Sequence, residues 1–471
     1  MLFIRKLLFL GFTIIYIIAC PLLILYALGY IYSPVTGELV HTGVLHISTI
    51  PSGADIFLEQ SRFTHRTPAT INDLLAGKYN LTLKKKGYRP WTQQITIEGG
   101  KAVTLNNVLL IPLFWPLKNM AQSASEDLVN TGNERFFVTA GGSALSDYFI
   151  CGPAKGIGRL LPLDSPFLPF SVVKIFDCVK SSAMVVEAGP FWDRKYLYIN
   201  PRENEPCAID ITNLTHGGIS PPIWQDSENT LFYRKDKCIN LIEVKEMNST
   251  PCFFEKIRGF GTFSQWLYVI DANGVLSRQS FDGTIKENLS TDIFTAQAFF
   301  NRSGFYTIDV RNKNTFFFLG TEGDFLVNLP PYYIAPESVE GYRFSPGENM
   351  LLFWTKHSLS VADFSVGGDN VLFHENFKIE TVYQNSKEIK QGLWADENSH
   401  ILCNDDSSIF LIELHPQVSA HVEHVVNVKK NTQVFYDAEE KSLFYLDKDT
   451  GVLTRIEIIP KSSITILPSE L

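Results

Sequence analysis

The chain has 471 residues, of which 45% are hydrophobic, 13% aromatic and only 19% charged; that balance buries large cores and excludes a disordered chain. At ~100–200 residues per domain the length allows two to four domains. The net charge of −9 disfavours a nucleic-acid binder, which needs a large basic surface, and no sustained heptad supports a coiled coil.

The N-terminus is apolar. Between Lys6 and Glu38 no residue is charged. The run LLFLGFTIIYIIACPLLILYALGYIYSPVTG is longer than the ~20 residues that a bilayer-crossing helix needs. It is apolar on every face, which a soluble core helix rarely is. Residues 1–34 therefore read as a short cytoplasmic tip and a transmembrane helix, kinked at Pro21, with Tyr26, Tyr30 and Tyr32 at the far interface. Arg5 and Lys6 precede the run, and no Lys or Arg follows until Arg62. The excess of basic residues on the cytoplasmic side places the N-terminus inside and the bulk of the chain outside. A cleaved signal peptide has an apolar core of only ~7–15 residues. Ile17-Ile18-Ala19-Cys20 has the form of a lipoprotein processing box, but Pro21 and the apolar LLILYALGY follow where a lipoprotein turns polar. Cys20 is read as a small apolar helix residue.

After a linker over 35–42, residues 43–113 change to short alternating runs. VLHIST from Val44 and ADIFLE from Ala54 flank a turn at Ile50-Pro51-Ser52-Gly53. TPATIND from Thr67, KYNLTLK from Lys78, WTQQITIE from Trp91 and KAVTLNNVLL from Lys101 follow, punctuated by Gly77, Gly87 and Gly99-Gly100. Six short strands with alternating faces read as a small antiparallel β-sandwich.

Pro51-Ser52-Gly53-Ala54, Thr67-Pro68, Leu74-Leu75-Ala76-Gly77-Lys78-Tyr79 and Gly87-Tyr88-Arg89-Pro90-Trp91 occur in that order. In this pattern the segment resembles the PEGA domain. Where that family often has Asp/Asn-Gly after its second strand, this chain has Glu59-Gln60-Ser61, and a longer hairpin turn is expected. The resemblance covers about 70 residues. It implies a non-catalytic, often extracytoplasmic β-module and carries over no active site. Charge adds a separate point. Residues 43–113 hold eight Lys/Arg against four acids, a net charge of +4, which leaves −14 on 114–471. Lys84, Lys85 and Lys86, with Arg89, read either as a solvated hairpin tip or as a basic patch leaning on anionic head groups or wall polymer.

Residues 118–471 repeat a text: an aromatic, an acidic or Ser-Pro-Gly turn, a hydrophobic strand, a polar turn, and an alternating strand. Copies open at Ile223, Tyr342, Leu393 and Val434, with weaker ones at Lys195, Phe263 and Ala298. A period near 40–50 residues with paired strands indicates a β-propeller, of seven or eight blades over this span. Phe344-Ser345-Pro346-Gly347 before Met350-Leu351-Leu352-Phe353-Trp354 resembles the propeller repeat of TolB-like proteins. That resemblance implies shape more than activity, and such propellers usually bind peptides or proteins across one face.

No reaction is legible. The six cysteines after the anchor (Cys151, Cys178, Cys207, Cys238, Cys252 and Cys403) form no Cys-x-x-Cys. Buried free thiols are the leading reading, and Cys238–Cys252 is the best disulfide pair. His421 and His424, near His415, lie three apart, on opposite faces of a strand. Asp447-Lys448-Asp449-Thr450-Gly451 is ordinary hairpin text without the further acids of a calcium loop. Gly156-Ile157-Gly158 is not a dinucleotide fingerprint, and no nucleophile elbow occurs. No cofactor or metal is expected. The reading is a mainly β, single-pass membrane protein of a prokaryotic envelope. It is expected to be non-enzymatic and to bind a wall polymer or protein partner through its propeller face. The alternative is an envelope glycan or peptide hydrolase using two carboxylates on that face.

Overall fold

A computed structural model of the chain describes residues 2–27, 29–32, 37–130, 137–152, 156–179, 183–200, 208–225, 230–281, 283–289, 300, 303–312, 315–328, 332, 334–335, 338–364, 378–415 and 418–459. It is mainly β, with one long helix. The chain divides into two compact units. The first holds the residues up to Trp115 together with Glu413–His421. The second holds Pro116–Ile412 and Val422–Ile458. The short 413–421 segment thus belongs with the first unit.

Helix α1 (Leu2–Ala27) continues through Pro21. Its apolar side chains face outward: Phe9, Phe12, Ile15, Ile17, Leu23 and Tyr26 are all exposed. The helix ends earlier than expected. Gly29, at φ 82°, turns the chain, and Tyr30–Tyr32 form a strand, β1, paired with β2 (Leu39–Ile50). Tyr30 stacks on His41 at 4.4 Å. Tyr30 and Tyr32 thus belong to the sheet rather than to the helix end, and half of the expected linker is strand.

The rest of this unit is seven strands rather than six. β2 pairs antiparallel with β5 (Ala69–Leu75) and parallel with β8 (Ala102–Leu109). The parallel pair is a departure from the all-antiparallel expectation. A second sheet has the order β4 (Ser61–Arg66), β3 (Asp55–Leu58), β6 (Gly77–Lys84), β7 (Trp91–Ile97). Alternate residues of both sheets meet in one core that includes Leu45, Ile47, Ile56, Leu81, Leu83, Trp91, Ile95 and Leu105. The turn between β3 and β4 is tight, not long: Leu58 pairs with Ser61, and Glu59 takes φ 55°. Glu59 also accepts from Asn80 N at 2.8 Å, which holds that conformation.

The second unit begins with β9 (Lys118–Ala124). Antiparallel meanders follow over 127–159, 172–210, 220–254, 257–288, 306–327, 341–384, 391–427 and 435–457. Their first strands open at 127, 172, 220, 257, 306, 341, 391 and 435. The repeat copies at Ile223, Tyr342 and Leu393 lie in these first strands, Val434 directly precedes one, and Phe263 ends one. Lys195 opens the third strand of its meander instead. Ala298 lies outside the described residues.

Adjacent residues of one strand point to opposite faces, and here both faces are buried. On the strand Thr315–Gly320, Phe318 packs with Tyr306, Ile308 and Tyr268, while its neighbour Phe317 packs with Leu351 and Phe353. Likewise Val185 joins Ile223 and Tyr233, whereas Met184 and Val186 join Val138. Each meander is thus covered by the one before and the one after. The last covers the first: Phe435, Phe444 and Leu453 pack on Leu128 and Phe137. β9 then supplies the outer strand of the final meander, pairing with Val452–Glu457. Successive meanders closed on themselves, with one strand of the last taken from the start of the same unit, make a β-propeller.

Gly261 shows how closely the inner strands approach. A Cβ there would collide with the carbonyl of Ile308 on the next meander. Acidic turn residues in the repeat cap the backbone: Asp396 Oδ1 accepts from Ser399 N at 2.8 Å and His400 N at 2.9 Å, and Asp271 Oδ1 accepts from Asn273 N and Val275 N. Such Asx capping is the reason for Asp at these turns.

Phe137 is fully buried, 4.8 Å from the Phe435 ring and 5.2 Å from Phe444. Phe137→Ala should cost about 3–5 kcal/mol, because it opens a cavity where the ring closes. Urea unfolding followed by near-ultraviolet circular dichroism reads this as a lower midpoint.

Candidate interaction surfaces

The outer face of the β4-β3-β6-β7 sheet is set by strand register. Ile56 and Leu83 face the core, so Asp55, Phe57 and Lys84 face outward. Asp55 stands opposite both Arg66 and Lys84, and Phe57 stands opposite Arg62 and Thr82. Arg62 Nη2 and Arg66 Nε both donate to Asp55 Oδ1 at 2.8 Å. Lys84 Nζ lies 4.9 Å from the centre of the Phe57 ring, a cation–π contact. Two guanidiniums thus share one carboxylate beside a third cation, Lys84, so this group carries a positive excess. The two guanidiniums, Arg66 first, hold the Asp55 carboxyl below its usual value.

The four residues read from the sequence as a basic patch separate in the structure. Lys84 is on this face. Lys85 is half-buried and donates to Ser52 O at 2.7 Å, so it braces a turn. Lys86 is exposed at the turn before Gly87. Arg89 is half-buried, its backbone N–H donating to Ile111 O. Arg62 and Arg66 take the places beside Lys84. They stand about twenty residues away in sequence, and only the pairing of β3 with both β4 and β6 brings them there.

The same unit holds a buried carboxyl. Glu413 is 1% exposed. It accepts from Trp91 Nε1 at 2.8 Å and from Leu109 N at 2.6 Å. Gln93 Nε2 donates to Ser419 O, and His421 Nδ1 donates to Gln93 Oε1 at 3.0 Å. His424 instead meets Asn427 and the Phe410 ring. The two histidines of HVEH therefore serve different faces, as strand geometry requires. Among the described residues no three His, Cys, Asp or Glu side chains gather as metal ligands.

In the second unit the first strands of the second and sixth meanders bear Asp177 and Arg343. Burial raises the Asp177 carboxyl and the charge of Arg343 lowers it. Asp177 is nonetheless open to solvent. Neighbouring meanders are also tied by polar bonds. Tyr342 Oη donates to Asp309 Oδ2 at 3.1 Å, and Arg311 Nη2 donates to the same oxygen at 3.0 Å. Trp394 Nε1 donates to Arg343 O, and Tyr436 Oη to Ala395 O.

Ser399, His400 and Asp396 come together without forming a catalytic relay. Ser399 Oγ donates to Asp396 Oδ2 at 2.6 Å, and the same oxygen meets His400 Nδ1 at 2.5 Å. The serine lies on the aspartate side of the imidazole, whereas nucleophile activation uses the opposite nitrogen. Asp447 is likewise occupied by its turn. Burial works against ionisation, but bonds from Thr450 and Asp449 outweigh it and hold the carboxyl low. Cys238 and Cys252 are joined by a disulfide. Cys151, Cys178 and Cys403 are buried free thiols, and burial pushes Cys151 up to about 12. Cys207 lies outside the described residues.

Comparison with known proteins adds the following. No curated protein matches the chain. Among solved structures, Hsv2 from Kluyveromyces lactis is 9% identical, covering 64% of this chain and 98% of that one at a TM-score of 0.40. YCF48 from Cyanidioschyzon merolae is 10% identical, covering 72% and 98% at 0.38. The β-propeller domain of Cps50 (Swd1) from Myceliophteria thermophila is 8% identical, covering 73% and 99% at 0.37. The segment 42–110 matches the PEGA domain family.

Two outcomes follow from this geometry. Asp55 should titrate below 3.8 in a two-dimensional NMR experiment, and Arg66→Ala should move its midpoint up. Since the folded value is the lower one, the stabilisation is present above the usual carboxylate range and is lost as pH falls through the Asp55 midpoint. Glu413→Ala should destabilise by roughly 1–3 kcal/mol for each buried donor left without an acceptor. Glu413→Gln, which keeps one acceptor oxygen, should lose less in the same urea titration.

Proposed function

We propose that this protein is a membrane-anchored binding protein of a prokaryotic cell envelope, with its N-terminal tip in the cytoplasm and both β units outside. The observation that carries this reading is α1. From Phe9 to Tyr26 it is long and apolar enough to span a bilayer, and no protein covers it. An apolar surface of that length needs lipid. Three further points support the orientation. Arg5 precedes the apolar stretch, and no basic residue follows it before Arg62. The Cys238–Cys252 bond suits an oxidising compartment. The PEGA match at 42–110 is to a family of extracytoplasmic modules.

We read the eight meanders as eight blades and the two sheets of the first unit as a sandwich. On this reading the protein works by presentation and not by catalysis. Four acidic side chains, Asp55, Asp271, Asp396 and Asp447, serve a turn cap or an ion pair. The propeller face recognises a protein partner. The Arg62–Arg66–Lys84 face adds affinity for phosphate or carboxylate groups of an envelope polymer, at roughly 1 kcal/mol per basic residue near such a surface.

Protease added to intact cells should remove both β units and spare α1. Full protection of the C-terminal part until lysis would overturn the orientation.

A further inference from the structure

The hairpin between the strands Met184–Ala188 and Lys195–Ile199 carries Gly189-Pro190-Phe191-Trp192-Asp193-Arg194 at its tip. Phe191 is 86% exposed and Trp192 87%. Of the seven tryptophans of the chain, Trp192 is the only exposed one. This is a built turn. Gly189 N donates to Ser171 O at 2.9 Å and Asp193 N to Pro190 O at 3.0 Å. Arg194 Nη1 donates to Gly189 O at 2.5 Å. Gly189 takes φ 94°, and a Cβ there would meet Asp193 O at 2.5 Å. The two rings are therefore held out in water by a fastened backbone. Val173, at a bulge in the neighbouring strand, is also exposed.

The charges around the tip are used internally. Arg194 pairs with Glu187 at 3.5 Å, and Lys195 with Asp193 at 3.3 Å and Asp210 at 3.9 Å. What the tip offers is thus apolar and aromatic. Its size limits the partner. Two aromatic side chains bury 150–250 Å² each, well short of the ~1,000 Å² that a specific protein interface needs. The same area is ample for a bilayer interface, where Trp and Phe settle among the head groups and no shape match is required. A bilayer is also the one surface that α1 holds permanently near this chain.

We infer that Phe191 and Trp192 form a second membrane contact, dipping into the interface of a lipid bilayer. The inference rests on the membrane-anchor reading of α1. Attachment through α1 makes the second contact intramolecular, so a weak tip suffices.

The full-length protein is reconstituted into phosphatidylcholine vesicles with bromine atoms high on the acyl chains, which quench nearby indoles. α1 contains no tryptophan, so the anchor itself gives no signal. Quenching of the wild type, and loss of the quenched component in Trp192→Phe, is the expected result. Flotation of the vesicles on a density gradient reports the anchor separately. Protein that floats but shows no quenching difference overturns the tip contact and leaves the anchor intact. Protein that does not float overturns both. Undiminished quenching of Trp192 by soluble acrylamide in vesicles also overturns the lipid contact.

Discussion

The second unit depends on one constraint: its strands are apolar on both faces, so every sheet must be covered twice. Phe317 and Phe318 are neighbours in the chain yet belong to different cores. A sheet of that kind is insoluble alone. Stacking solves the problem for interior members only, because a linear stack still leaves two bare ends. Closing the stack removes the ends. The packing of Phe435 and Phe444 on Leu128 and Phe137, reinforced by β9 pairing with the last meander, is where this closure occurs.

The first unit answers the same hydrophobic demand differently. Its sheets each have one wet face, so their strands alternate cleanly. That freedom leaves outward positions for Arg62, Arg66, Lys84 and Phe57, which no core claims. Polar groups elsewhere are mostly consumed: by turn capping at Asp396 and Asp447, by the bonds between meanders at Asp309, and by Trp91 and Leu109 at Glu413. Two surfaces stand out: a cationic sheet face and an aromatic hairpin tip.

Much of this was legible in the residues. The apolar N-terminal run, the alternating text of 43–113 and the repeat from Ile223 onward all rest on local signals, whereas Cys238 and Cys252 read first as free thiols and the structure joins them. The errors have local causes too. Tyr30 and Tyr32 read as the end of a helix because they are apolar and adjacent to it, but Gly29 ends the helix and β2 offers them a partner. The turn at Glu59 read as long because the family's Gly is missing, yet Asn80 stabilises the left-handed conformation from another strand. The Lys84–Arg89 cluster read as either a hairpin tip or a patch because its members are close in sequence; Lys84 ends β6, whereas Lys85 and Lys86 lie in the turn that follows.

Hydropathy and period, summed along the chain, determined that there would be an apolar helix, a small alternating β module and a repeated set of doubly buried sheets. These depend on each residue's preference for water or for its neighbours' interior, which is a property of the residue itself. Only the tertiary structure decided that Arg62 and Arg66 join Lys84, that Glu413 lies beneath Trp91, that β2 and β8 run parallel, and that Trp192 is left bare. Those facts depend on which strands pair and in what register. Register is settled by contacts between residues tens to hundreds of positions apart, and no local pattern encodes them.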